Sequence, residues 1–247
     1  MIPINRPQKP VELDATKISE LTARYKLDES SVWNQPYIRS ALLDMSHNKC
    51  VYCESKVDEE SKYMEVDHFL PKSIYQDLVV FWKNLLPSCK RCNTNKLDHD
   101  SESKPIIDPS TTLPNEHIGI RNYRLKGKNQ LGRDTIDIVD LNESIRCTAK
   151  RFAIGEQVTI TILQLHEILE TYRINHHART RNRLTGGIRR LLAEASPSSE
   201  YSATAATAMC SDEDFAVLVQ QMKALNLWDP EMEAALTQAN SIAFELL

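Results

Sequence analysis

Apolar residues recur at helical spacing in two stretches near the start of the chain. Ile18, Leu21 and Tyr25 follow Asp14, which can cap a helix, and this pattern predicts a first helix. A second helix is predicted to start at Pro36 and to end near residues 47–49. Its apolar side contains Ile38, Leu42, Leu43 and Met45.

The pattern changes between residues 50 and 100, where turn signals are dense. Residues 63–66 and 84–86 are predicted to form two short strands, and residues 92–97 a short helix. Two strands and one helix of this size bury too little apolar surface to be stable alone. The segment is therefore expected to need a metal ion as a structural support.

Helical periodicity dominates the second half of the chain. Residues 101–132 contain three prolines and three glycines and are predicted to be an irregular connector, or a long ordered loop over the preceding segment. From Asp140 a helical pattern begins, with Asp140 and Asn142 as candidate caps. A long helical pattern runs from about residue 158 towards residue 193, with a weak point at Gly186 and Gly187.

The last 50 residues are predicted to contain a linker and two helices. Residues 196–208 are rich in small side chains and are interpreted as the linker. Asp212 is predicted to cap the next helix, and a final helix is expected from Asp229 towards Leu246. The predicted fold is α+β and mostly α. A compact ββα unit is flanked by N-terminal helices and a C-terminal helical region, with domains at residues 1–132 and 133–247.

Composition is that of a water-soluble globular protein. The 247 residues are 41% hydrophobic and 26% charged, with a formal net charge of −4, so bulk charge does not favour nucleic-acid binding. The first residues lack the apolar stretch of a signal peptide, and no apolar run could cross a bilayer, so a cytoplasmic location without membrane contact is expected. In that compartment cysteines stay reduced, which favours metal binding over disulfides.

Four of the six cysteines form two pairs of CxxC spacing. Cys50 and Cys53 make the first pair, and Cys89 and Cys92 the second. Two such turns offer four thiolates to a tetrahedral Zn²⁺ ion. The alternative is four unrelated thiols, which two matched spacings among six cysteines disfavour. The remaining Cys147 and Cys210 are interpreted as buried thiols.

An Asp-His dipeptide lies between the two cysteine pairs. Asp67 and His68 end a predicted strand, where successive side chains point to opposite faces. Asn84 and Asn93 follow, the latter directly after Cys92. Alone, an Asp-His pair is weak evidence, because a single histidine is more often a core or surface residue than a catalyst.

Together these motifs resemble the HNH endonucleases, whose core is the ββα-metal fold. The matching segments are residues 50–54, 65–73, 82–86 and 88–93, with Lys96. The resemblance is closer to the HNH subunit of Septu-type anti-phage systems, a family also found as a retron-associated effector. Beyond residue 100 the likeness is looser.

The resemblance implies a role for each matching residue. His68 would be the general base that takes a proton from the attacking water. Asp67 and Asn93 would bind a catalytic metal, and Asn84 would pin the loop that orients His68. Two oxygen ligands favour Mg²⁺ or Mn²⁺ over zinc, so two metals of different kinds are expected. Hydrolysis would leave 5′-phosphate and 3′-hydroxyl ends.

Basic residues near this site are candidate phosphate contacts. They are Lys72, Lys90, Arg91 and Lys96, although each could equally be part of a solvated rim. A second basic stretch, residues 171–193, holds six arginines and no acidic residue. It is interpreted as a surface for nucleic acid or for an acidic partner, against the alternative of a solvated helix face.

The resemblance also implies partners. The chain has no GxxxxGK loop, so a separate ATPase subunit would control the nuclease, with the last two helices as its candidate contact. A retron reverse transcriptase with its RNA–DNA hybrid is a further candidate partner. The substrate is expected to be DNA, with structured RNA such as tRNA as an alternative. A catalytically inactive zinc-knuckle adaptor or nucleic-acid-binding module is the competing function.

Overall fold

The computed structural model describes residues 1–57, 59 and 63–247. The chain forms two compact units. The first comprises residues 1–118 and 126–142, and the second comprises residues 119–125 and 143–247. The boundary between these units reflects the packing of the chain. It does not test the predicted division into functional domains at residue 132, which stays a prediction.

The first unit begins with the two predicted helices. Helix α1 spans Ala15–Asp28, and the Asp14 side chain accepts a hydrogen bond from the Lys17 backbone N–H. Helix α2 spans Pro36–Ser46. The apolar faces of both helices are buried, as their periodicity predicted, so both helix predictions are confirmed.

The centre of the first unit is a two-stranded sheet with a short helix. Strand β1 spans Met64–His68 and pairs antiparallel with β2, Leu85–Cys89. The register places Met64 opposite Cys89 and His68 opposite Leu85. Helix α3, Lys90–Lys96, follows β2 directly. The predicted ββα arrangement is therefore present, with strand boundaries shifted by one to three residues.

The segment after α3 is more regular than predicted. Residues 101–113 carry no helix or strand, but they are followed by helix α4 at Pro114–His117 and strand β3 at Ile118–Arg121. Strand β4, Arg124–Gly127, and helix α5, Gln130–Ile138, complete the segment. The prediction of an irregular connector to residue 132 was wrong, because Pro114 starts a helix rather than breaking one.

The second unit is mostly helical, as predicted. A π-turn at Ser144–Thr148 leads into the long helix α6, Ala149–Asn175, and then α7, Ala178–Glu194. Strand β5, Glu245–Leu246, follows the last helix and pairs in parallel with β3. The remaining helices are α8 Ser202–Cys210, α9 Glu213–Ala224 and α10 Pro230–Ile242.

Three predictions for this unit need correction. Glu143 caps the first turn, accepting hydrogen bonds from the backbone N–H groups of residues 145 and 146, in place of Asp140 or Asn142. The long helical pattern breaks at His176, with φ of 50°, whereas Gly186 and Gly187 lie inside α7. Gly187 faces Leu165, where a Cβ would lie 2.4 Å from the leucine side chain, so close helix packing explains this glycine.

The predicted small-residue linker at residues 196–208 was also wrong for most of its length. Helix α8 occupies residues 202–210, and its alanines and threonines are almost all buried. Small side chains allow neighbouring helices to approach this helix closely, so they indicate packing here rather than a loop. The caps at Asp212 and Asp229 are confirmed. Within the described residues, no helix is long and apolar enough to cross a membrane.

Candidate functional site

The two CxxC pairs converge on one point of the first unit. The four sulfur atoms of Cys50, Cys53, Cys89 and Cys92 all lie within 4.8 Å of one another, and Cys53 Sγ is 3.8 Å from Cys89 Sγ. Sulfurs around a tetrahedral Zn²⁺ at about 2.3 Å lie about 3.8 Å apart. The cluster therefore fits a structural zinc ion, and the predicted convergence of the two pairs is confirmed.

The environment of these sulfurs also suits a cation. Burial raises the pKa of the Cys50 thiol well above its usual range, so a buried thiolate here needs a compensating positive charge. Cys147 and Cys210 lie outside the cluster. Cys147 is buried and Cys210 half-buried, and burial raises the pKa of Cys210 to about 11. For Cys210, this shift disfavours the reactive thiolate form.

The first CxxC turn is held against the sheet by backbone and ionic contacts. The Val51 backbone N–H donates to the Pro87 carbonyl at 3.1 Å, which ties the turn to β2. The Glu54 carboxylate is buried and lies 3.5 Å from Lys49 Nζ and 2.5 Å from the α-amino group of Met1. The sequence offered no role for Glu54, because these contacts of its carboxylate are set by the fold.

His68 lies at the end of β1 with its ring fixed on two sides. Its Nε2 is 2.8 Å from the Val79 carbonyl oxygen. A carbonyl can only accept, so Nε2 carries the proton and Nδ1 keeps its lone pair. The Trp33 ring meets the His68 ring edge-on, with centroids 4.8 Å apart. Burial lowers the pKa of His68 to about 4, so the ring is neutral at neutral pH and Nδ1 can accept a proton.

Asn84 joins the two ends of the loop that carries Val79. Its Oδ1 accepts from the Leu70 backbone N–H at 2.7 Å. Its Nδ2 donates to the carbonyls of Leu70 and Leu78 at 3.0 and 3.2 Å. Leu78 directly precedes Val79, whose carbonyl accepts the hydrogen bond from His68 Nε2. This geometry agrees with a structural role for Asn84. That Asn84 contributes to function by orienting His68 stays a prediction.

Replacing Asn84 by alanine should loosen that loop without touching the reacting groups. The change removes the partners of the Leu70 N–H and of the Leu70 carbonyl, at a cost of about 1–3 kcal/mol of folding free energy, while the Leu78 carbonyl keeps the bond from the Phe81 N–H. Because His68 is positioned through this loop, cleavage should fall by about 10²-fold. Urea unfolding and cleavage assays on the same preparations check both effects. An alanine variant of normal activity would exclude a positioning role.

Asp67 is buried and held by two side chains. Its Oδ2 accepts from the Tyr52 hydroxyl at 2.6 Å, and its Oδ1 lies 3.1 Å from Lys96 Nζ. Tyr52 stands between Cys50 and Cys53, so the zinc cluster and the Asp67 carboxylate are joined through one residue. Lys96 Nζ also donates to the His68 carbonyl at 2.6 Å.

The position of Lys96 conflicts with its predicted role as a phosphate contact. Its side chain is 0% exposed, and its ammonium group lies between Asp67 and the His68 backbone. A buried ammonium paired with a carboxylate has no surface left for a nucleic acid. Lys96 is thus a structural partner of Asp67.

Asn93, on α3, is bonded to Glu65, which was not among the predicted site residues. Asn93 Nδ2 donates to Glu65 Oε2 at 2.8 Å. Alternation with Val66 along the strand predicts a solvent-facing Glu65 side chain, whereas in the structure Glu65 is half-buried and bonded to Asn93. Glu65 and Asp67 are two residues apart on β1 and share the face covered by α3. The alternation along β1 would have indicated that Glu65 lies at the site if α3 had been predicted to pack on the same face as Asp67.

A cavity of about 440 Å³ brings these residues together. Its lining includes Trp33, Arg39, Glu65, Asp67, His68, Lys72, Asn93 and Asp98. Among the described residues, the cysteine cluster is the one group of three or more His, Cys, Asp or Glu ligands. Oxygens from Asp67 and Asn93 alone suit Mg²⁺ or Mn²⁺, which keep several water ligands. The donor set of the cavity thus fits such an ion.

The three remaining basic residues predicted to contact phosphate differ in exposure. Lys72 lines the cavity, with Nζ 5.3 Å from the centre of the Trp33 ring. Lys90 is exposed at the start of α3. Arg91 is largely covered and donates to the Asp140 carbonyl at 2.8 Å and to Cys92 Sγ at 3.3 Å. Lys72 is therefore the best placed of the three beside the cavity.

Comparison with known proteins gives two kinds of match. Residues 50–99 match the family model described as HNH endonuclease. The chain is 46% identical over 241 residues to Septu protein PtuB of Bacillus thuringiensis, covering 97% of this chain and 93% of that protein. It is 24% identical over 196 residues to Septu protein PtuB of Bacillus mycoides strain KBAB4, covering 66% and 65% of the two chains. No solved structure matches the chain.

Proposed function

The chain belongs to the Septu PtuB family and is an HNH nuclease, and from this we propose that it cleaves DNA with the help of a divalent metal ion, under the control of a partner ATPase. The observation that carries the proposal is the state of His68. Its Nε2 is occupied by the Val79 carbonyl, which leaves Nδ1 as the proton acceptor beside a cavity that Asp67 and Asn93 also line.

Each residue at the cavity has a different proposed role in phosphodiester hydrolysis. His68 takes a proton from the attacking water, which a neutral imidazole can do at neutral pH. Asp67 and Asn93 would hold Mg²⁺ or Mn²⁺, which when bound offsets negative charge on the reacting phosphate. Lys72 lies at the same cavity and can contact a neighbouring phosphate. The zinc cluster takes no part in the chemistry and keeps the ββα unit folded.

The choice of DNA as the substrate is part of the proposal. A site that binds the phosphate rather than the bases does not by itself distinguish DNA from RNA. DNA is the substrate we expect of an anti-phage effector, and structured RNA such as tRNA is the alternative to test beside it. An inactive adaptor is disfavoured because Asp67, His68, Asn84 and Asn93 are all present and the first two line one cavity with Asn93.

The second unit offers surfaces for a partner. Arg179, Arg181, Arg183 and Arg190 on α7 are exposed, and no ion pair is found for them among the described residues. Arg189 instead lies within 2.6 Å of carboxylate oxygens of Asp229 and Glu231. The four exposed arginines suit an acidic protein surface or a nucleic-acid backbone. The contact of α9 and α10 with an ATPase, and a retron reverse transcriptase as partner, stay predictions.

Metal removal tests the proposal directly. The complex with its ATPase should cleave DNA in the presence of Mg²⁺ or Mn²⁺, and chelation of those ions should abolish cleavage while the buried zinc stays bound. Gel assays with duplex DNA, single-stranded DNA and tRNA, with metal analysis after chelation, check this. Products should carry 5′-phosphates, read by end labelling. Cleavage that persists in chelator with only zinc retained would contradict the proposal.

A further inference from the structure

A carboxylate next to the site has no assigned part in the chemistry. We propose that Glu65 is a positioning residue of the metal site, which holds the side-chain amide of Asn93 so that its oxygen faces the cavity. The inference rests on the proposed function, in which Asn93 is a metal ligand. It adds a residue to the site and assigns it a definite task.

The geometry of β1 and α3 supports this task. Glu65 and Asp67 are two residues apart on one face of β1, and Asn93 and Lys96 are three apart on one face of α3. Two side-chain pairs join these elements, beside the bond from Lys96 to the His68 backbone carbonyl. Asn93 Nδ2 lies 2.8 Å from Glu65 Oε2, and Lys96 Nζ lies 3.1 Å from Asp67 Oδ1. Each residue with a predicted part in metal binding is therefore held by one neighbour on the opposite element.

The chemistry of an amide explains why such a neighbour matters. A carboxamide presents an oxygen acceptor at one side and an NH₂ donor at the other, and a half-turn about its terminal bond exchanges them. Only the oxygen can bind Mg²⁺ or Mn²⁺. An ionised carboxylate accepts hydrogen bonds and donates none, so Glu65 selects the NH₂ group and leaves Oδ1 for the cavity. Outer residues that orient a ligand typically change metal affinity by about 10–100-fold when removed.

Glu65 also lines the cavity, so direct binding of the metal by its carboxylate is the competing role. Substitution by glutamine separates the two. The oxygen of a glutamine can still accept the hydrogen bond from Asn93, whereas the carboxylate charge is gone. A positioning residue should tolerate this change, and a charged ligand should not.

The experiment measures Mn²⁺ binding to the zinc-loaded full-length chain by electron paramagnetic resonance, without nucleic acid. Glu65→Ala should weaken Mn²⁺ affinity by about 10-fold or more, and Glu65→Gln by at most about threefold. Glu102→Ala, an exposed carboxylate that does not line the cavity, is the matched control and should bind as the wild type does. Zinc content and the melting temperature confirm that each variant is folded.

If Glu65→Ala is unstable, a second test exchanges the hydrogen-bond donor at residue 93 with the acceptor at residue 65. Asn93→Asp alone places two carboxylates where one hydrogen bond stood, so the melting temperature should fall. Glu65→Gln with Asn93→Asp restores a donor opposite an acceptor, so it should recover the melting temperature and bind Mn²⁺ at least to within about threefold of the wild type.

The outcomes separate this inference from the function on which it rests. Equal loss in Glu65→Gln and Glu65→Ala, or normal binding in Glu65→Ala, would overturn the positioning role while the metal site stands. A wild-type chain that binds no Mn²⁺ would instead overturn the catalytic metal itself. Failure of the double variant to recover the melting temperature or to bind Mn²⁺ also counts against the inference.

Discussion

Replacing His68 by alanine should reduce nucleic-acid cleavage by about 10²–10⁴-fold, the usual contribution of a general base. His68 Nε2 is bonded to the Val79 carbonyl, so Nδ1 is the acceptor for the proton of the attacking water. Among the residues that the structure describes, no other histidine lines the cavity. The measurement is the initial cleavage rate of the complex with its ATPase under saturating metal.

Stability must be measured beside that rate, because His68 is only 6% exposed. Its loss leaves the Val79 carbonyl without a donor, at a cost of about 1–3 kcal/mol. His99→Ala is a suitable control, since His99 is bonded to the Lys104 carbonyl and does not line the cavity. A folded, zinc-loaded His68→Ala protein that cleaves at the wild-type rate would rule out His68 as the base.

Replacing Cys50 by serine should remove both zinc and activity. Three thiolates and a hydroxyl bind Zn²⁺ much more weakly than four thiolates, so zinc should fall from about one ion per chain towards none. One hydrogen bond and one covalent link connect the zinc site to the cavity. Tyr52, within the first cysteine turn, holds Asp67, and Asn93 follows Cys92 directly. Without zinc these positions are no longer fixed, so cleavage should drop to background although zinc is absent from the chemistry.

Cys210→Ser is the matched control for that change. Cys210 lies outside the cluster, and burial raises the pKa of its thiol to about 11, so it should neither bind zinc nor react. Zinc content by mass spectrometry, the melting temperature and the cleavage rate should all match the wild type in the control. Full zinc occupancy in Cys50→Ser would contradict the four-thiolate site.

Features that depend on local order along the chain were predictable from the amino-acid sequence. Capping residues located helix starts at Asp14, Asp212 and Asp229, because a cap acts on backbone groups within three residues. The two CxxC spacings predicted the sulfur cluster, since each turn brings two thiols together whatever the rest of the chain does. Family-specific motifs then identified the nuclease class.

Tertiary packing was needed to establish which polar groups are buried and which neighbours they contact. Lys96 looked like a phosphate contact and is instead enclosed between Asp67 and the His68 backbone. Glu65 looked solvent-facing and is bonded to Asn93. The alanines of α8 looked like a linker and form a buried helix. In each case the deciding neighbour is distant in sequence or lies on another element, so local periodicity holds no information about it. Burial and pairing of polar groups follow from packing, which the fold as a whole sets.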